Sequence, residues 1–164
     1  MLHSVLIANR GEIARRIIRA CRALGMRAVA VYSEADAGWP HVAEADKAIL
    51  IGAAPARDSY LSTERILDAA RAAGVEAIHP GYGFLSENWR FAQACEDAGF
   101  AFIGPPWQVI QQMGDKIRAR WLMAAAGIPV THRRLARSVT FFGDHPDPDG
   151  AGEATDWAAL ARVP

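Results

Sequence analysis

Short apolar runs rich in Val, Ile and Ala alternate with stretches of helical periodicity through the first 130 residues. This alternation limits the fold more than any other feature of the chain. Val5-Leu6-Ile7-Ala8, Ala28-Val29-Ala30-Val31-Tyr32, Ala48-Ile49-Leu50-Ile51, Ala77-Ile78-His79 and Phe100-Ala101-Phe102-Ile103 read as strands. Between the first two, Ile13, Ile17, Cys21 and Leu24 recur at helical spacing, and Gly25 stands where a glycine ends a helix. A short helix is expected around Val42. Ser62 can cap a helix with an inner face of Ile66, Ala69, Ala70 and Ala73, closed by Gly74. A further helix is expected over residues 86–98, closed by Gly99. After Gly104-Pro105-Pro106 come a helical turn around Val109 and a helix over about residues 115–126. Each crossover must carry the chain back over the sheet, so the pattern predicts parallel strands covered on both faces. Right-handed crossovers make the α/β sheet doubly wound. One domain is expected over residues 1–130. The character changes after Val130: Thr131-His132-Arg133-Arg134-Leu135-Ala136-Arg137 precedes an Asp/Pro/Gly stretch over residues 144–152. Without sustained periodicity, residues 131–164 are expected to form an irregular tail.

The most informative local sequence is His79-Pro80-Gly81-Tyr82-Gly83-Phe84-Leu85-Ser86-Glu87-Asn88. It reads as the end of a buried strand, a rigid glycine turn carrying Tyr82, and a helix opening at Ser86. Open α/β sheets place ligands at such turns, beyond the carboxyl ends of strands; a tight connector with no ligand is the other reading. Gly81-Tyr82-Gly83-Phe84-Leu85-Ser86 falls one residue short of the dinucleotide pattern and follows the fourth strand instead of the first. NAD binding is therefore a remote alternative.

Two cations sit at the wrong end of a helix. Arg10 precedes the first helix, where the macrodipole opposes a guanidinium, so local pairing and a domain contact both remain open. Lys116 falls in the first turn of the last helix if Asp115 caps it; a solvated lysine and a phosphate-binding lysine both fit. His79 reads as a core histidine bonded to backbone, and no metal site is expected because the other histidines are scattered. Ser86 lacks the glycine-flanked elbow of a hydrolase nucleophile. Packing is the default role of all five tryptophans. Arg15, Arg16, Arg19 and Arg22 follow helical spacing opposite Ile13, Ile17 and Cys21, as a solvated face would.

Lys and Arg number 18 against 18 Asp and Glu, so no charge excess draws the chain to nucleic acid or an anionic membrane. No apolar run approaches the length of a membrane span. Cys21 and Cys95, each inside an expected helix, read as buried reduced thiols, which makes the cytoplasm the expected location.

The motif at residues 79–88 combines with Ile7-Ala8-Asn9-Arg10-Gly11-Glu12-Ile13-Ala14 and Met113-Gly114-Asp115-Lys116. Ser33, Ala35-Asp36, His41-Val42, Ala45-Asp46 and Ser59-Tyr60-Leu61 lie between them in the same order. Together they resemble the N-terminal, pre-ATP-grasp domain of biotin carboxylase, the ATP-dependent component of acetyl-, propionyl- and methylcrotonyl-CoA carboxylases and pyruvate carboxylase. The resemblance covers residues 1 to about 130 and implies a Rossmann-like sheet forming one wall of an active site. It implies that Lys116 contacts ATP, that Tyr82 and Gly83 lie beside the biotin ureido ring, and that Glu87 is near the site. Arg16 and Arg19 become candidate residues of a subunit contact. Complete members use ATP, bicarbonate and Mg²⁺ to carboxylate biotin on a carrier domain, through residues of two later domains. No catalytic residue is therefore expected in this chain, which would be inactive alone. The departure after Val130 suggests a truncated or frameshifted reading frame. The alternative is a non-catalytic assembly module that pairs with intact carboxylase subunits.

Overall fold

The computed structural model describes residues 2–130, the side chains of Arg118 and Trp121 excepted; the irregular tail expected over residues 131–164 lies outside the described residues. Strand β1 (Ser4–Ile7) is followed by α1 (Gly11–Ala23), β2 (Arg27–Ser33), α2 (Pro40–Glu44), β3 (Lys47–Gly52) and α3 (Thr63–Ala73). Then come β4 (Ala77–His79), α4 (Trp89–Asp97), β5 (Ala101–Phe102), α5 (Trp107–Gly114) and α6 (Lys116–Ala125). The strands form one parallel sheet in the order β3-β2-β1-β4-β5. The expected α/β class and parallel winding are therefore present.

Alternation along each central strand builds two apolar layers. Val5, Ile7, Ala28 and Ala77 face one side, where Ala14, Ile18 and Cys21 of α1 cover them. Leu6, Val29, Val31 and Ile78 face the other, under Ile66, Ala69, Ala70 and Ala73 of α3 and Phe91 and Cys95 of α4. Period-two side chains thus satisfy a helix layer on each face, which is why the strands read as continuous apolar runs.

The α3 expectations hold in detail: Ser62 caps the helix by accepting from the Arg65 N–H, and Gly74 closes it at φ 60°. Three details differ. In α1 the deeply buried residues are Ala14, Ile18 and Cys21; Ile13 and Ile17 flank them, and Leu24 is 72% exposed. An adjacent row of the helix carries the seal because small Ala14 lets α1 lie close to the sheet. The α4 helix opens at Trp89, not Ser86, because the Asn88 side chain accepts from the Arg90 and Phe91 N–H groups. The Ser86 N–H is instead spent in a turn, donating to the Gly83 carbonyl at 2.9 Å. Strand β5 is confined to two residues.

The first two crossovers put α1 and α2 side by side, while α3 and α4 meet one another in the opposite layer. Winding reverses between β1 and β4. The carboxyl ends of these neighbouring strands splay their loops apart, which is where an open α/β sheet forms a crevice.

Candidate functional site

The loops leaving β1 and β4 line a shallow cleft of about 400 Å³ at this reversal point, with Glu12, Trp39, Tyr82, Gly83 and Phe84 among its walls. The β1 loop reads Ala8-Asn9-Arg10-Gly11. Asn9 is 1% exposed, and its Nδ2 donates to the carbonyls of Pro80 at 2.8 Å and Tyr82 at 2.9 Å. Its Oδ1 accepts from the Arg10 N–H, so every polar atom of the amide is used. One side chain of the first loop therefore shapes the fourth strand's turn.

That turn needs its glycines for different reasons. Gly81 adopts φ +68°, and a Cβ there would lie 2.6 Å from Asn9 Nδ2. Gly83 adopts φ +70° with open space around it. Between the turn and the strand, His79 Nδ1 accepts from the Gly81 N–H at 3.0 Å, while burial holds the His79 pKa below its ordinary value. This is the backbone-bonded histidine expected from sequence. Phe84 follows at φ +41°, a left-handed conformation held in place by stacking on Tyr60 at 5.0 Å.

Tyr82 stands 63% exposed at the cleft, with its hydroxyl donating to Glu12 Oε1 at 2.6 Å. The hydrogen bond to Glu12 raises the Tyr82 pKa, and Arg16, one turn along α1, opposes that rise. Glu12 sits in the first turn of α1, where the helix dipole favours a carboxylate.

Arg10 is locally paired. Its Nη1 lies 3.3 Å from Asp36 Oδ1, and the guanidinium sits 5.6–5.8 Å from the ring centres of Trp39, Tyr60 and Phe84. Asp36 is buried and also accepts from the hydroxyls of Ser33 and Tyr60, each at 2.7 Å. Burial alone would raise the Asp36 pKa; the hydrogen bonds from Tyr60 and Ser33, with Arg10, hold it below the ordinary carboxylate value. The cation thus ties together the loops following four strands. Trp39, expected to be packed, is 45% exposed on the cleft wall.

Other sequence candidates fall outside the cleft lining. Glu87 is exposed in the turn before α4. Lys116 is exposed at the first position of α6, with Asp115 Oδ1 accepting from the Ile117 N–H as the expected cap. Arg16 and Arg19 are exposed on α1. Their neighbours behave differently: Arg15 forms a bidentate pair with Glu44, and Arg22 donates to the Glu44 carbonyl. Among the described residues no group of three His, Cys, Asp or Glu side chains is arranged to hold a metal. No described helix is long and apolar enough to cross a membrane.

Residues 1–110 match the family described as the N-terminal domain of biotin carboxylase. The chain belongs to that family. It is 60% identical over 130 residues to a biotin carboxylase of Halalkalibacterium halodurans, an alignment covering 79% of this chain and 29% of that protein. It is 56% identical to the mitochondrial methylcrotonoyl-CoA carboxylase subunit alpha of Glycine max, covering 79% and 18% respectively. Among solved structures, the biotin carboxylase domain of a thermophilic 2-oxoglutarate carboxylase bound to bicarbonate superposes with a TM-score of 0.76 at 55% identity, over 79% of this chain and 29% of that one. The same domain from Hydrogenobacter thermophilus is known as a dimer with MgADP, ADP and bicarbonate. This chain spans less than a third of the length of these relatives.

The buried polar residues of this biotin carboxylase domain stand within the motifs that carry the resemblance, but nothing in the sequence assigned them a role. Asn9, Asp36, Tyr60 and His41 carried no periodic signal of their own. A polar residue directly after a buried strand and before a glycine, as at Asn9, was the available clue.

Proposed function

We propose that the chain forms one wall of a biotin carboxylase site, in which a complete enzyme uses ATP and bicarbonate to carboxylate a biotin ureido nitrogen. The carrying observation is the cleft at the winding reversal, with exposed Tyr82 and Gly83 on its rim, in a chain so similar to named biotin carboxylases. Tyr82 offers a flat apolar ring to the ureido bicycle, and its anchored hydroxyl stops the ring from swinging freely. Gly83 lets the ligand approach the backbone because no side chain intervenes. Glu87 is assigned to the edge of the same site. Lys116, at the amino end of α6, is assigned to an ATP phosphate, which a cation attracts. Mg²⁺, when bound with ATP, neutralises phosphate charge, and its ligands are assigned to other parts of the complete enzyme.

Turnover needs ATP held from both sides. One lysine supplies a few charge-assisted hydrogen bonds of about 1.5–3 kcal/mol each. Association itself costs about 4–15 kcal/mol. The chain alone therefore binds ATP at millimolar affinity or weaker and releases no ADP above background. Bicarbonate-dependent ADP release with free biotin tests this, with K116A as control. Turnover that disappears in the control would overturn the assignment of catalysis to the complete enzyme. Biotin titrated against the chain tests the site itself: perturbation of the Tyr82 ring resonances supports the reading, and none at tens of millimolar defeats it.

The division among the α1 arginines favours a second role. Arg15 and Arg22 are hydrogen-bonded to Glu44, whereas Arg16 and Arg19 are exposed and make no hydrogen bond to it, Arg19 Nε donating instead to the Arg15 carbonyl. An assembly contact with an intact carboxylase subunit would use those two charges. Co-purification with a full-length carboxylase, lost in R19E, would support it; pairing unaffected by R16E and R19E would remove α1 from the contact.

A further inference from the structure

Strand β3 lies at one border of the sheet, bonded to β2 alone. The phase of β2 decides which β3 groups stay open. The Arg27 N–H donates to the His3 carbonyl, so the odd residues of β2 turn their backbone groups to β1 and the even ones to β3. In a parallel ladder a residue bonds the two neighbours of the residue opposite it. Ala30 stands opposite Ala48, so its bonds go to Lys47 and Ile49. Ala48 and Leu50 therefore direct their N–H and C=O groups outward, where no hydrogen bond to a described residue is found.

Beside this edge, β3 and α3 form a groove of about 310 Å³ that shares no lining residue with the cleft of the β1 and β4 loops. Buried Ile51 and Ala69 line it with half-buried Ile49, and Leu50 on the same wall is 50% exposed. Charge narrows the occupant. Asp68, the carboxylate of the groove, is already paired with Arg71 at 2.8 Å. The two exposed cations at the groove have no carboxylate partner among the described residues. Arg65 Nη1 donates to the Ile51 carbonyl at 3.3 Å, and Lys47 Nζ to the Ala72 carbonyl at 3.5 Å. Lys47 opens the strand and Arg65 reaches its fifth residue, so the cations flank about 13 Å of edge.

We infer that the β3 edge receives an extended acidic peptide as an added strand, with an apolar side chain in the groove and a carboxylate on either side of it. Alternate side chains of such a strand share one face, so acid, apolar and acid at every second position meet Lys47, the groove and Arg65 in turn. Backbone bonds to Ala48 and Leu50 hold the strand, and the alternate side chains select it. A second copy of β3 fits less well. Two-fold pairing of identical strands runs antiparallel and carries Lys47 of each copy to the Arg65 end of the other, where like charges meet. Cations on an edge strand discourage such self-pairing, and the same charges attract an acidic strand.

The experiment follows the amide resonances of the ¹⁵N-labelled 164-residue chain while peptides are added. The probes are acetyl-Glu-Thr-Val-Thr-Glu-amide, the same peptide with lysine for both glutamates, and the acidic peptide N-methylated at its three central residues. The Ala48 and Leu50 amide protons move downfield with the acidic peptide, and those of Tyr82 and Gly83 stay in place. The lysine peptide binds at least about fivefold more weakly, because both surface pairs turn repulsive. K47E, at an exposed position, narrows that ratio, and the N-methylated peptide leaves Ala48 and Leu50 unmoved. Equal affinity for the acidic and lysine peptides would overturn the charge assignment, and undiminished binding after N-methylation would overturn the added strand. Shifts of Ala48 and Leu50 that grow with protein concentration in the absence of peptide would make a second copy the occupant instead. Silence of both residues up to about 10 mM acidic peptide would overturn the docking site altogether.

Discussion

The Tyr60 hydroxyl donates to Asp36 at 2.7 Å, and through that carboxylate it reaches Arg10 at the mouth of the cleft. A residue of the loop after β3 thereby stabilises the guanidinium that follows β1. Y60F removes one donor from a buried carboxylate and the acceptor of the buried Ser33 N–H, and keeps the ring that stacks on Phe84. It should destabilise the fold by about 1–3 kcal/mol, measured as a lower urea midpoint with an unchanged slope.

The two turn glycines should separate conformational strain from collision. G83A meets open space and bears only the left-handed backbone penalty of about 1–2 kcal/mol. G81A bears the same penalty and also drives a Cβ into the Asn9 amide, adding about 1–3 kcal/mol as overpacked cores do. Thermal unfolding of the two variants side by side checks the order; equal losses would show that the Asn9 contact yields easily.

Acid should loosen the fold in two stages. His41 is completely buried; burial lowers its pKa, and the Val31 backbone opposes that shift only in part. The unfolded chain thus takes up its proton first. Stability is full above the ordinary histidine value, about 6.5, and falls as the pH drops toward the lower folded value. Asp36 acts at lower pH, because its folded pKa is also depressed: its contribution is present above the ordinary carboxylate value and fades below it. H41F should reduce the fall in stability below the ordinary histidine value, leaving the share that buried His79 supplies, and should leave the carboxylate stage at lower pH unchanged. Denaturant midpoints across pH would show both.

Charge reversal on α1 should separate assembly from folding. R16E alters an exposed side chain outside the Glu44 cluster and should change stability by no more than about 0.5 kcal/mol. R19E also removes a cation that favours the Glu44 carboxylate and should act like R15E, more weakly. R15E places two carboxylates where Arg15 now forms a bidentate pair with Glu44, so it should lower the melting temperature. Melting curves distinguish the two groups.

Much of the sheet was legible because apolar runs and helix-closing glycines are local signals. Ile66, Ala69, Ala70 and Ala73 were identifiable as one buried face because their spacing is helical. The α1 face was misread by one row: Ala14 looks neutral in sequence, yet its small volume is what the close approach requires. Asn88 and Ser86 are both good caps two residues apart, and only the Gly83–Ser86 turn decides between them. The cleft's position followed from the glycine turn at the end of β4. Its supports did not, since Arg10 meets Asp36 across 26 residues and Asn9 meets Pro80 across 71. Such pairings appear only once the winding reversal brings the loops together.

Each apolar layer of the sheet contains one thiol: Cys21 beneath α1, Cys95 beneath α4. Burial pushes the Cys95 thiol up to about 12 and raises Cys21 as well, so neither supplies much thiolate while its helix is seated. The protein therefore comes with a built-in pair of reporters. Alkylation of Cys21 without Cys95 would time the lifting of α1 from the sheet; simultaneous labelling would mean that both helix layers detach in one cooperative event.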